Sequence, residues 1–151
     1  MNFKKLQENI KDFIENKFPD AVESADLSPI DNFIADFIDL DKYKNSNLVF
    51  IDFVNYHFDN LTLDTQDMEF TFKFYIVLRG NTALNLKDAL LDYVGCFYNF
   101  FYSESCNRSF DGLIDIGLIT DVDIYNAALG NVNIKVAEFT VNCKLEDITN
   151  D

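Results

Sequence analysis

The spacing of hydrophobic positions changes several times along the chain, and each change marks an element. Phe3, Leu6, Ile10, Phe13, Ile14 and Phe18 recur at helical spacing among Lys, Glu, Asp and Asn. They predict an amphipathic helix over residues 1–18 that stops before Pro19. Residues 20–47 carry a weaker signal. Ser28 ahead of Pro29, with Asp31 following, suits the start of a short helix bearing Ile30, Phe33, Ile34, Phe37 and Ile38; an irregular apolar segment is the competing reading.

Strand spacing takes over from residue 48. Leu48, Val49, Phe50, Ile51 and Phe53 leave no polar side until Asp52 and Asn55, the pattern of a strand over 48–58 that is covered on both faces. Met68, Phe70, Phe72, Phe74, Ile76 and Leu78 then alternate with Glu69, Thr71, Lys73, Tyr75 and Arg79, so one face of the next strand is buried and the other is not. Asp59, Asn60 and the stretch 64–67 supply turn residues between the two, as in an antiparallel hairpin.

A second helix is predicted over 86–102. Leu86, Leu90, Tyr93, Val94, Phe97, Phe100 and Phe101 form its apolar stripe, and Asn85 with Asp88 resembles an N-terminal cap. After a polar loop over 103–112, Ile114, Ile116, Leu118, Val122 and Ile124 are expected on one side of a strand, opposite Asp115, Gly117 and Asp121. The last strand, 131–145, changes phase: Val132, Ile134 and Val136 are even-numbered, whereas Ala137, Phe139, Val141, Cys143 and Leu145 are odd. That shift implies either a bulge near Val136 and Ala137 or a long hairpin burying opposite faces, with the part near Val132 leaving the domain to pack elsewhere.

These elements add up to a single α+β domain over 1–151: an antiparallel sheet of about four strands with two or three helices packed on one face. Its parts are the helix at 1–18, the unassigned segment at 20–47, a β-β-α-β-β core at 48–145 and a frayed acidic tail at 146–151.

Composition narrows the function classes. The 151 residues include 26 Asp plus Glu against 12 Lys plus Arg, a formal charge of −14. Phosphate-gripping nucleic-acid binding needs a basic stripe, so no sequence-specific nucleic-acid contact is expected. With 16 Phe and 48 % apolar residues the chain can build a core without disulfide or metal staples. Cys96, Cys106 and Cys143 are odd in number and lack a CxxC spacing, so a zinc site or a disulfide framework is not expected. No apolar run approaches the length of a membrane span.

The candidate chemistry is sparse. His57, flanked by Tyr56 and Phe58, has no recognisable nucleophile beside it and reads as a structural or surface histidine. Asp39 with Asp41, and Asp121 with Asp123, lack the glycine and closing Glu of a calcium loop and read as solvated charge. Cys96 and Cys143 fall on apolar faces, and Cys106, in the polar loop, is the thiol expected at the surface. With no phosphate-binding loop, dinucleotide fingerprint or zinc-protease helix, neither an enzyme nor a bound cofactor or metal is expected.

The order of elements carries a resemblance. An entry strand 47–53 (NLVFIDF), its partner 66–77 (QDMEFTFKFYIV), a long Phe-rich helix and a closing hairpin ending in AEFTV at 137–141 resemble the tail-terminator, or tail-completion and head–tail joining, proteins of tailed bacteriophages and prophages. The resemblance implies a non-enzymatic virion-assembly protein that forms a homo-oligomeric ring, often a hexamer, and caps the tail tube. Its partners are then itself, tail-tube proteins and neck or connector proteins, with no membrane. Its location is the host bacterial cytoplasm during assembly and the virion tail or neck afterwards. On that reading Ala127, Ala128, Leu129, Val132 and Ile134 are the expected subunit interface. Glu69, Asp115, Asp121 and Glu138, on the polar sheet face, are expected to line an acidic channel that repels DNA within a Debye length of about 8 Å. An acidic module or inhibitor that mimics nucleic acid and docks on a basic partner is the alternative, and a small-ligand domain with a Phe-lined cavity is a third.

Overall fold

The computed structural model describes residues 2–60, 65–80, 86–129 and 132–149. Its elements are helix α1 (Phe3–Ser24), strands β1 (Asn32–Ile34), β2 (Asn47–Asn60) and β3 (Thr65–Gly80), helix α2 (Leu86–Phe101), and strands β4 (Ile116–Leu129) and β5 (Val132–Thr149). The α+β class holds. The sheet, however, has five strands in the order β1-β2-β3-β5-β4, and it is mixed, because β1 runs parallel to β2 while the other neighbours are antiparallel.

The largest departure from expectation lies in residues 20–47. Helix α1 does not stop at Phe18 but passes through Pro19 to Ser24. Proline removes one helical hydrogen bond, yet Leu6, Ile10, Ile14, Phe18 and Val22 are buried along one stripe on both sides of it, and that burial offsets the loss. Asn2 caps the start by accepting from the Lys5 amide at 3.0 Å. The end is a Schellman turn: Asp26 takes a φ of 57°, and the Leu27 amide donates to the Val22 carbonyl at 3.1 Å.

The short helix expected after Ser28 is absent, and an extended segment leading into β1 takes its place. Its backbone groups are satisfied from outside: Tyr93 Oη donates to the Ser28 carbonyl at 2.6 Å and Asn47 Nδ2 to the Pro29 carbonyl at 3.1 Å. Asp31 and Asn47 close a reciprocal pair, Asp31 N to Asn47 O at 2.8 Å and Asn47 N to Asp31 Oδ2 at 2.9 Å. Partners this distant in sequence are invisible to a local capping rule.

Both helices lie on one face of the sheet, the inner face. Phe70, Phe72 and Phe74 of β3, Val49 and Ile51 of β2, and Ala137, Phe139 and Val141 of β5 meet the stripes of α1 and α2 there in the main core. The outer face carries a second, smaller core of Ile34, Leu48, Phe50, Tyr75, Val77, Ile134 and Val136, packed by Ile38, Leu40, Tyr43 and Ala127. This explains the phase change in β5. Its pairing with β3 runs unbroken through Val77↔Val136 and Ile76↔Ala137, so there is no bulge at that point. The two phases bury opposite faces: Ile134 and Val136 pack on residues 34–43 of their own chain, while Val132 stays exposed. Arg79 fastens that cover by donating from Nη2 to the carbonyls of Leu40 and Tyr43.

β5 also continues to Thr149, pairing with Thr65, where a frayed tail was expected from residue 146. The expected cap residue Asn85 and turn residue Asp64 lie outside the described residues.

The loop between α2 and β4 is tightly built. Asn107, Arg108, Phe110 and Asp111 all take φ between 50° and 58°, a region costly for side-chain-bearing residues. In return Phe110 enters the core with its ring 5.7 Å from Phe101 and 5.9 Å from both Phe13 and Phe72. The Gly117 amide donates to the Arg108 carbonyl at 2.6 Å. A Cβ on Gly117 would stand 2.8 Å from Phe101 Cζ and 3.1 Å from that carbonyl oxygen. Gly117→Ala is therefore expected to cost about 1–3 kcal/mol, read as a lower urea midpoint at unchanged slope.

Candidate functional site

Four features of the outer face and of the β4 edge stand out. The first is the uncovered half of the outer face. Cross-strand partners share a face, so the register places Asn55, His57, Glu69, Thr71, Asn142 and Lys144 together beyond the second core. Thr71 Oγ1 donates to Asn142 Oδ1 at 2.6 Å. The surface dips here into a shallow depression of about 440 Å³, with Arg108 and Ile116 at its rim. His57 is exposed, with its Nε2 3.3 Å from Asp59 Oδ1 on the same face.

The second feature is a polar cluster at the border of the small core. Lys73 Nζ lies 3.5 Å from Glu138 Oε2 and donates to Thr140 Oγ1 at 2.6 Å, while Tyr125 Oη donates to Glu138 Oε1 at 3.4 Å. Burial, then the Glu138 carboxylate, push the Tyr125 phenol up to about 12 and the Tyr75 phenol further up. Both remain neutral donors at working pH.

Asp52, on the same face, has its carboxyl raised from the ordinary 3.8 by burial and by Asp36. A carboxyl whose folded pKa is raised favours folding below its unfolded pKa and loses that contribution as pH rises through the folded one. Asp52→Asn is accordingly expected to leave stability unchanged near pH 3 and to raise it relative to wild type at pH 7, as measured by urea unfolding at the two values.

The third feature is the set of acidic residues expected along a channel. Glu69, Asp121 and Glu138 do fall on one face, the outer one, together with Asp123. Glu138 is engaged by Lys73, and Glu69 stands across from Lys144. Asp115 precedes β4 and accepts from the Glu146 amide. The other acidic pair is local structure, since Asp39 Oδ1 accepts from the amides of Asp41 and Lys42 at 3.2 and 3.0 Å.

The fourth is β4, whose only strand neighbour among the described residues is β5. Its apolar residues do not share one side, as their even spacing predicted. A bulge between Ile119 and Asp121 flips the phase: Ile116 and Leu118 face outward with Lys144 and Asn142, whereas Val122 and Ile124 face inward with Phe139 and Ala137. All four are exposed, as is Tyr125. Nothing in the even-numbered spacing betrays the flip, because Thr120 fills the skipped place. Of the expected interface residues, Ile134 is buried in the small core and Ala127 packs against it, which leaves Val132 exposed. The side chains of Ala128 and Leu129 lie outside the described residues.

The three thiols are all buried, Cys106 included, contrary to its expected exposure. Burial pushes each of them up from the ordinary thiol value and away from the reactive thiolate. Among the described residues no group of three or more His, Cys, Asp or Glu is placed to hold a metal ion, and no helix is long and apolar enough to cross a membrane.

No family model and no curated protein sequence matches this chain. The functional reading therefore rests on the element order and on these surfaces.

Proposed function

We propose that the chain is a non-enzymatic structural protein of a phage or prophage tail, which assembles as a ring, caps the tail tube and joins it to the neck. The observation that carries this reading is β4, a 14-residue edge strand with exposed apolar side chains on both faces. A long edge of that kind is a liability on a monomer and is usually blunted or covered. Head-to-tail association of identical copies covers it and closes into a ring. The resemblance to tail-terminator proteins in element order points the same way. In such a ring Glu69, Asp115, Asp121 and Glu138 would contribute to a passage that repels DNA. The phage location and the neck and tube partners follow from the same reading.

Native mass spectrometry tests it. The expected result is an assembly at a multiple of 17.4 kDa, seen as an annulus by negative-stain microscopy. Val132→Asp and Leu129→Asp are expected to weaken it; unchanged assembly in both would remove the β4–β5 hairpin as a contact. A protein that stays monomeric at every concentration and binds a basic protein tightly would instead support the acidic-module reading.

A further inference from the structure

We propose that copies of this chain join edge to edge, β4 of one copy pairing antiparallel with the free run of β2 in the next. The inference rests on the ring reading and assigns it a surface. Among the described residues β1 covers only Leu48–Phe50 of β2, so β2 beyond Phe50 has a strand on one side alone, as β4 does. Among the described residues the sheet thus has unpaired backbone on both sides, along β4 and along β2 beyond Phe50.

Strand direction decides how copies can meet. From β2 through β3 and β5 to β4 every neighbour is antiparallel, so β4 runs opposite to β2. Two copies held the same way up therefore bring β4 and β2 together as an antiparallel pair. A ring whose axis runs along the strands holds every copy the same way up.

The side chains match along this pairing. Bulges at Val54 and Thr120 leave the straight runs 55–60 and 121–129. In the first run Tyr56 and Phe58 point to the inner face, where Phe3 lies against both rings at 5.1 and 5.8 Å. In the second, Val122 and Ile124 point to the same face, and Phe58, Val122 and Ile124 are each 38–39 % exposed. The outer-face rows are polar in both: Asn55, His57 and Asp59 against Asp121, Asp123 and Tyr125. Joining the runs sets apolar beside apolar and polar beside polar.

A symmetric β4–β4 pairing is disfavoured by the same residues. Centred on Val122, it sets Asp121 against Asp123 at two places, and like charges directly opposite destabilise a sheet. In the register that sets Phe58 beside Val122, the β2 run places Asn55 beside Tyr125, His57 beside Asp123 and a single carboxylate, Asp59, beside Asp121.

The test uses two full-length variants, Phe58→Cys and Val122→Cys, mixed and oxidised with diamide; Ile124→Cys replaces Val122→Cys to sample the neighbouring register. The native thiols are buried and do not compete. The expected result is a mixed disulfide dimer at least about fivefold more abundant than any dimer from either variant alone, since directly opposed strand residues lie within disulfide reach. Equal yield from Val122→Cys alone would overturn the head-to-tail pairing. No mixed dimer, with wild type still assembling by native mass, would overturn the edge pairing and leave the ring reading standing. No mixed dimer from a wild type that stays at monomer mass would overturn both.

Discussion

Phe97→Ala is expected to remove about 3–5 kcal/mol of folding stability, the largest loss from any single truncation in the main core. The ring of Phe97 is fully buried and stacks on Phe74 with centroids 3.8 Å apart. It also meets Phe139 edge-on at 4.8 Å and Phe18 at 5.6 Å. One side chain of α2 thus ties together β3, β5 and α1. Removing it leaves a hole walled by three rings that are themselves fixed by other contacts, so the site cannot collapse to fill it. Against a total of roughly 5–15 kcal/mol for a domain, the loss would lower the melting temperature by about 6–20 °C. Urea unfolding measures it directly, and Phe97→Leu should recover more than half. A loss below about 1 kcal/mol would mean that the aromatic cluster is not packed as described.

Val136→Asp is expected to be as damaging for a different reason. Val136 is fully buried in the small outer-face core, directly across from Val77. A carboxylate there is desolvated without a partner, which costs several kcal/mol. The nearby cation on that face, Arg79, already donates to the Leu40 and Tyr43 carbonyls, so pairing with the new charge would release the segment it holds. The introduced carboxyl should have a raised folded pKa. The damage should then be greatest above that raised folded pKa, shrink as pH falls through it, and reach its floor below the unfolded value of about 3.9. Val132→Asp, on the same face of β5 but 37 % exposed, is the control and should change stability by no more than about 0.5 kcal/mol. Equal effects from the two would mean that the outer face has no core of its own.

The contrast between these two valines also shows what periodicity could and could not reveal. The Phe row of β3 and the stripe of α2 were legible as buried faces, but β3 also buries Tyr75 and Val77 on the side expected to be open, because residues 34–43 cover it. The even-then-odd apolar positions of β5 were legible as a pattern but ambiguous in meaning, because one strand with a core on each face reads like a bulged strand with one core. Residues 20–47 were not legible, since their structure is set by Asn47, Tyr93 and Arg79, partners far away in the chain. The surface features divide in the same manner. That Glu69, Asp121 and Glu138 share a face could be read from alternation, but the flip at Thr120 that separates Leu118 from Val122 could not. Nor could the burial of Cys106, which follows from a loop geometry that no residue preference announces.

The position of β5 in the sheet has a bearing on how the chain reaches its fold. β5 sits between β3 and β4, and it is synthesised after every other described element. Until it emerges, the β2–β3 hairpin has an open backbone edge, the β5 part of the inner-face core is missing, and β4 has nothing to pair with. Closing the sheet joins Thr71 to Asn142, 71 positions apart, so the rate-limiting contacts are non-local and folding is expected to be slow for a domain of this size. The interval between synthesis of β3 and capture by β5 is when the nascent chain is most prone to aggregate. Abundant carboxylates keep such a chain apart from its neighbours during that wait, whatever they do once it has folded.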